Sequence, residues 1–240
     1  MNIAIISGAT GGIGKEFSII LDNENLDEIW LVCGKSLPDY TLSTKTRIFS
    51  LDLCDKASYD VLKGSLSDDI SIKFLVCSAG VGYNGDFSDI SEECIDKMIT
   101  LNCNALTLLT KICIPYMNKG SKIIEIASGA GFLPQPHFAV YAATKAYVIN
   151  LSKSLSKELK ANGISVTAIC PGPVDTNFFA SLENVKQYKR KYLISPKKVA
   201  ILGLKASKKG KRVASTSFSM KMVHLASKIL PSSLILKFYK

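Results

Sequence analysis

The sequence predicts a doubly wound parallel α/β domain, and three observations predict it. Short apolar runs of strand length alternate with longer stretches of helical periodicity. Several runs, among them EIWLVC and IKFLVC, are nearly continuous in apolar residues, as strands become when helices cover both faces of their sheet. A glycine-rich turn, SGATGGIG, follows the first run directly and opens an amphipathic segment.

Taken in order, NIAIIS reads as the first strand, EFSIILDN as the first helix and EIWLVC as the second strand. TRIFSLDL and IKFLVCSAG follow as strands, then a long helical stretch from about Ser91 to Met117. SKIIEIAS, a helix from about Phe138 to Lys160, and ISVTAICPG continue the alternation. SPKKVAILGLKA reads as a further helix, with Ser195 as its N-cap and Pro196 at its first position.

The 240 residues (26.0 kDa) fit a single domain, 1–240, able to bury roughly 70 to 75% of the surface of its unfolded chain. With 47% apolar and 21% charged residues and no repeat or low-complexity tract, the composition excludes a disordered chain. The start MNIAIISGAT has no basic leader and too short an apolar run for a signal peptide or membrane span, so a cytoplasmic protein is expected. Seven cysteines without a CxxC pair, with Cys33, Cys77 and Cys170 in or beside apolar runs, read as reduced structural thiols. No metal site is expected.

Charge is unevenly placed. Residues 182–240 hold 15 of the 30 Lys and Arg against one acid, Glu183, so a final quarter of about +14 joins a body of about −4.

Gly8, Gly12 and Gly14, with Gly11 beside them, stand where a backbone must approach a pyrophosphate and a helix N-terminus must meet its charge. A tight turn without a ligand would favour glycine too, but the place after strand one and before a helix favours a Rossmann-type dinucleotide site. At the end of the second strand a carboxylate suits the ribose of NAD and a basic group the 2′-phosphate of NADP. LVCGKS offers Lys35 and no acid before Asp39, so NADP(H) is favoured over NAD(H), the plain alternative being a solvated turn lysine. In YAATK, Tyr141 and Lys145 fall on one face of a helix, an arrangement able to lower the pKa of a phenol.

These motifs together resemble the short-chain dehydrogenase/reductase family over roughly residues 1 to 200. GATGGIG resembles its cofactor loop and YAATK its Tyr-x-x-x-Lys; Ser128 lies 13 residues before Tyr141, as the family's serine does. Asn102 in ITLNCNAL matches the family's helix asparagine, and CPGPVDT its Pro-Gly segment. The resemblance implies an oxidoreductase interconverting a carbonyl and a secondary alcohol. Tyr141 would be the general acid/base, Lys145 would favour the phenolate and bind the nicotinamide ribose, Ser128 would polarise the substrate oxygen, and Asn102 would hold a relay water. It also implies cofactor contacts from Gly8, Thr10, Gly11, Gly12, Ile13 and Gly14, from Asp52 and Leu53 at the adenine, from Ala79 and Gly80, and from Pro171, Gly172, Val174 and Thr176 at the nicotinamide. Each also has a bland alternative: Ser128 as a strand-end turn residue, Asn102 as a helix cap or interior amide, Asp52 as a cap. Where the family usually has Asn-Asn-Ala-Gly after the fourth strand this chain has CSAG, which points to modest cofactor affinity. His137, on the loop before Tyr141 that should wall the substrate pocket, could contact a substrate, but a lone loop histidine is expected simply to be exposed.

Residues 177–212 should form the substrate lid and the helix after it, with Phe178, Phe179, Leu182 and Val185 facing a ligand or packing the lid on the body. In residues 213–240 the stripe Phe218, Met222, Leu225, Ala226 and Ile229, and then Leu234, Ile235, Leu236, Phe238 and Tyr239 interleaved with lysines, form a basic amphipathic segment. Two uses stay open: peripheral contact with an anionic membrane, or packing over the substrate pocket or a subunit interface. The tail also resembles the branch of very-long-chain 3-oxoacyl reductases and 17β-hydroxysteroid dehydrogenases, which implies a small apolar carbonyl or alcohol substrate, steroid-like or acyl. The family implies a homo-oligomer, dimer or tetramer, through its two long helices. A non-catalytic NADPH sensor on the same fold is the alternative, opposed by the intact Tyr, Lys, Ser and Asn. No nucleic-acid partner is expected, since the basic tail carries no recognition motif.

Overall fold

The computed structural model describes residues 1–180 and 193–237. Seven parallel strands form one sheet in the order β3-β2-β1-β4-β5-β6-β7: β1 (Asn2–Ser7), β2 (Glu28–Cys33), β3 (Lys45–Ser50), β4 (Ser71–Cys77), β5 (Lys122–Ile126), β6 (Ser165–Cys170) and β7 (Val213–Ser215). The order reverses between β1 and β4. A crevice opens at the carboxyl ends of strands at such a switch point, and there the ligand of a doubly wound sheet sits.

The two-residue period of the strands divides the core. Ile3, Ile5, Trp30, Val32, Leu75 and Ile123 face one side, where α4 (Leu106–Cys113) and α5 (Ala139–Glu158) cover them with Leu109, Cys113, Val148 and Ile149. Ala4, Ile6, Ile29, Leu31 and Val76 face the other, under Phe17 and Leu21 of α1 (Gly12–Leu21) and Val199 and Ala200 of α7 (Pro196–Lys208). β2 is buried at every position, which is why its sequence shows no alternation. Edge strand β3 is exposed at all positions but Phe49.

The expected elements form, with the differences at their edges. Ser195 caps α7 by accepting from the Lys198 N–H at 3.3 Å. The long helix from Ser91 is not uniform: α3 (Glu92–Ile99) winds into a π turn (Thr100–Ala105) before α4. The stretch Glu92–Tyr116 is long and apolar enough to cross a bilayer, but it lays Met98, Leu106, Leu109 and Cys113 into the protein interior, as the core helix of this sheet. Between β3 and β4 lies the short α2 (Tyr59–Lys63). Strand β7, only three residues long, is an addition to the expected order.

The C-terminal stripe forms α8 (Phe218–Ile229), followed by α9 (Ser232–Leu236). Four residues of its stripe are turned outward. Phe218, Met222, Leu225 and Ile229 are 76, 49, 51 and 69% exposed. The expected lid begins as α6 (Asn177–Ala180); Leu182, Val185, Phe238 and Tyr239 lie outside the described residues.

Candidate active site

The glycine loop is built by close approach. Gly8 has φ +65°, and a Cβ there would stand 2.7 Å from the Ala79 backbone nitrogen. A Cβ on Gly14 would fall 2.2 Å from the Gly8 carbonyl oxygen, and one on Gly12 would meet the Thr176 methyl at 2.6 Å. Only glycines let the loop, the end of β4 and the loop after β6 share this space. Helix α1 starts here with Gly11 as N-cap and no side chain on its first N–H groups, leaving them for an anion beside Thr10 and Ile13. These residues fit a dinucleotide pyrophosphate.

The end of β4 at CSAG is held by Ser7. Its hydroxyl accepts from the N–H groups of Ser78 and Ala79 at 3.2 and 3.4 Å, fastening the end of β4 to β1. Buried Cys77 leans on Thr110, sulfur to oxygen 3.7 Å.

At the adenosine end, Lys35 is exposed just past β2, while Asp39 is ion-paired with Lys15 at 2.8 Å. The acid nearest in sequence is therefore already engaged by a lysine. Asp52 acts as the turn cap, accepting from the Cys54 N–H at 2.9 Å. Leu53 turns its side chain into the core and its carbonyl accepts from the Tyr59 hydroxyl at 2.8 Å, so of this pair Asp52 presents the polar group to solvent.

The strands bring the catalytic candidates together. Ser128 follows β5 and caps a 3-10 turn, Gly129–Phe132, accepting from the Ala130 N–H at 3.1 Å. Tyr141 and Lys145 lie one turn apart on α5, both buried. The phenol is walled by rings: Phe138 stacks on it at 4.3 Å between centroids, and Phe178 of α6 lies tilted at 5.5 Å. Burial pushes its pKa up to about 12, against the downward pull of a hydrogen bond with Ser128.

That corrects the expectation of a lowered phenol. The Lys145 ammonium sits 5.6 Å from the Tyr141 ring centroid and donates to the Ile126 carbonyl at 2.9 Å, and burial lowers its own pKa to about 8. In the protein alone, desolvation sets both shifts and outweighs the Ser128 hydrogen bond on the phenol.

Asn102 occupies the π turn, 1% exposed. Its side-chain oxygen accepts from the Val81 N–H at 2.9 Å, and its amide donates to the Val81 carbonyl at 2.8 Å and to the Thr144 hydroxyl at 3.1 Å. The interior-amide alternative thus describes its side chain, which ties the segment after β4 to α5. A Cβ on Gly80 would lie 3.0 Å from the Asn102 oxygen and 3.5 Å from the Lys145 nitrogen, so Ala79 and Gly80 form the floor between Lys145 and the glycine loop.

The loop after β6 closes the far side. The Pro171 carbonyl accepts from the Gly129 N–H at 2.8 Å, and Val174 bridges to Ile194. Gly172 gives room to Met220, and Thr176 stands over Gly12. Pro171, Gly172, Val174 and Thr176 therefore line one bank of the crevice and the glycine loop the other.

Several contributors carry no local sequence signal. His137, with φ +59°, pairs with Asp86 across two loops rather than standing alone. Phe132 stacks on His224 of α8 at 4.3 Å. Glu125, in β5, binds Ser152 of α5 and, at 3.4 Å, Thr110 of α4; burial pushes its carboxyl up to about 7.

Crevice, glycine loop and a Ser-Tyr-Lys cluster define an oxidoreductase that works with a nicotinamide cofactor. The model of the short chain dehydrogenase family matches residues 2–187. The chain belongs to that family. It is 33% identical over 186 residues to an uncharacterized oxidoreductase of Staphylococcus epidermidis, covering 72% of this chain and 78% of the relative. It is 31% identical over 188 residues to the very-long-chain 3-oxoacyl-CoA reductase of Bos taurus, covering 72% of this chain and 59% of that protein. Among solved structures, a short-chain dehydrogenase from Sphingobium yanoikuyae in complex with NADPH superposes with a TM-score of 0.78 at 22% identity, over 99% of this chain and 96% of that one. A 3-ketoacyl-(acyl-carrier-protein) reductase from Brucella melitensis complexed with NADH gives 0.76 at 21% identity, over 89 and 95%.

Proposed function

We propose that the chain is an NADP(H)-dependent ketoreductase for apolar substrates, acyl thioesters first and steroid-like ketones second. The observation that carries this is the Tyr141 phenol, buried between Phe138 and Phe178 and held neutral with its pKa up to about 12. A neutral phenol is a proton donor ready for carbonyl reduction at any physiological pH.

Bound nicotinamide supplies the hydride in reduction and accepts it in oxidation. Tyr141 gives its hydroxyl proton to the substrate oxygen, and the Ser128 hydroxyl hydrogen-bonds that same oxygen. Charged Lys145 stabilises the phenolate left behind. With the Asn102 amide engaged, the relay water falls to its main-chain carbonyl, in a π turn whose i→i+5 winding disturbs the normal carbonyl ladder. In the opposite direction the phenolate must form first, which burial opposes.

The apolar character of the substrate is supported by Phe138, Phe178 and Met220 beside the reacting groups, and its acyl nature by the name of the bovine relative. Preference for NADP(H) is supported by exposed Lys35 and by the pairing of Asp39 with Lys15. A dimer through the α3–α4 helix and α5 is supported by exposed Ile99 and Tyr147, and a reducing, cytoplasmic setting by the seven free cysteines.

The test is a panel of 3-oxoacyl thioesters of increasing chain length, oxosteroids and small diketones, each with NADPH and with NADH. Catalytic efficiency should rise with acyl length and be higher with NADPH. Small polar diketones turned over best would overturn the substrate class, and equal rates with NADH the cofactor preference.

A further inference from the structure

Helix α8 has two apolar sides, and the body uses one. Met220 fills the space over Gly129 and Gly172, and His224 stacks on Phe132, so this side walls the substrate crevice next to Ser128. Opposite lie Phe218, Met222, Leu225 and Ile229, at least 49% exposed each. Their 4-3-4 spacing places them within an arc of roughly 60° on the helix. Leu230, Leu234 and Leu236, between 39 and 42% exposed, carry the apolar surface onto α9. Contiguous apolar surface of this kind marks an interaction site.

The surrounding charge has one sign. Residues 193–237 contain ten Lys and Arg and no Asp or Glu. Exposed Lys221 and Lys228 border the stripe and Lys237 ends α9. A second copy brought face to face would set lysines against lysines, whereas an anionic surface with an apolar interior satisfies both features.

We propose that the α8–α9 face docks on an anionic lipid bilayer. The stripe enters the acyl boundary while Lys221, Lys228 and Lys237 stay among the headgroup phosphates. At 12 residues α8 is about 18 Å long, too short to span the hydrocarbon core, so it lies in the plane of the interface. The same helix would then hold the bilayer beside the crevice, an entry route for apolar substrates that rests on the function proposed above; the docking itself does not.

Co-sedimentation of the purified full chain with phosphatidylcholine vesicles, with and without phosphatidylserine, tests this. We expect partitioning at least about tenfold stronger with phosphatidylserine and weakened by salt. Lys221→Gln with Lys228→Gln should lower it about twentyfold, and Leu225→Glu with Ile229→Glu should abolish it. Circular dichroism monitors folding, and the lysine pair serves alone if the glutamate pair does not fold. Absence of binding to phosphatidylserine vesicles overturns the proposal, as does binding indifferent to the lysine pair. A stripe variant that only lowers the oligomeric state, with no vesicle binding by the parent chain, would assign the face to a second copy instead. Binding is read without turnover, so a failed ketone panel leaves this result standing.

Discussion

Opposed influences act on Tyr141: burial disfavours the phenolate, while a hydrogen bond with the Ser128 hydroxyl favours it. Lys145 is itself depressed to about 8, so it is charged below that pH and loses its proton above it. Because kcat/KM reports the free enzyme, reductive kcat/KM should be level up to about pH 8 and fall tenfold per pH unit beyond it. The Lys145→Met variant should lose both that break and most of its activity. A profile unchanged through pH 9 would remove Lys145 from the proton path. The Tyr-Lys spacing was legible because four residues make one helical turn. The raised phenol was not, since desolvation depends on Phe138, which the sequence places nearby, and on Phe178, which comes from α6, far along the chain. The Lys15–Asp39 and Asp86–His137 pairs were hidden for the same reason: they join segments far apart in sequence and leave no periodic trace.

At the scale of elements, the glycine loop shows how a turn sets a site. Gly14→Ala would place a methyl carbon 2.2 Å from the Gly8 carbonyl oxygen, which the backbone must move to accept. Overpacking of this kind costs about 1 to 3 kcal/mol. We expect a lower melting temperature together with a loss of NADPH affinity of at least about tenfold, measured by fluorescence titration; an unchanged Kd would show that the loop does not cradle the cofactor. Strands buried on both faces, such as β2, were readable as apolar runs, and α7 announced itself through Ser195 and Pro196. The π turn at Asn102 escaped because an extra residue in a helical turn leaves composition unchanged. β7 escaped because VAS is too short to show a pattern; it joins the edge only by pairing with β6.

The whole molecule separates chemistry from charge. A seven-stranded sheet with a core on each face holds the glycine loop, Ser128 and Tyr141 at the carboxyl ends of its strands, and the C-terminal segment is basic. Sequence showed that division as a charge asymmetry but not its geometry, because the periodicity of α8 looks the same whether its stripe faces protein or solvent. Helix α8 links the two parts, with one side on the Ser128 turn and the other outward. The central claim nevertheless rests on one proton. The most direct measurement is NADPH-dependent turnover of the best ketone by Tyr141→Phe, with NADPH affinity measured alongside. Phenylalanine keeps the ring between Phe138 and Phe178 and removes only the hydroxyl. The account predicts NADPH affinity within about threefold of the parent and turnover lowered by about 10²- to 10⁴-fold. A variant that binds NADPH normally and keeps more than about a tenth of the parent rate would contradict it.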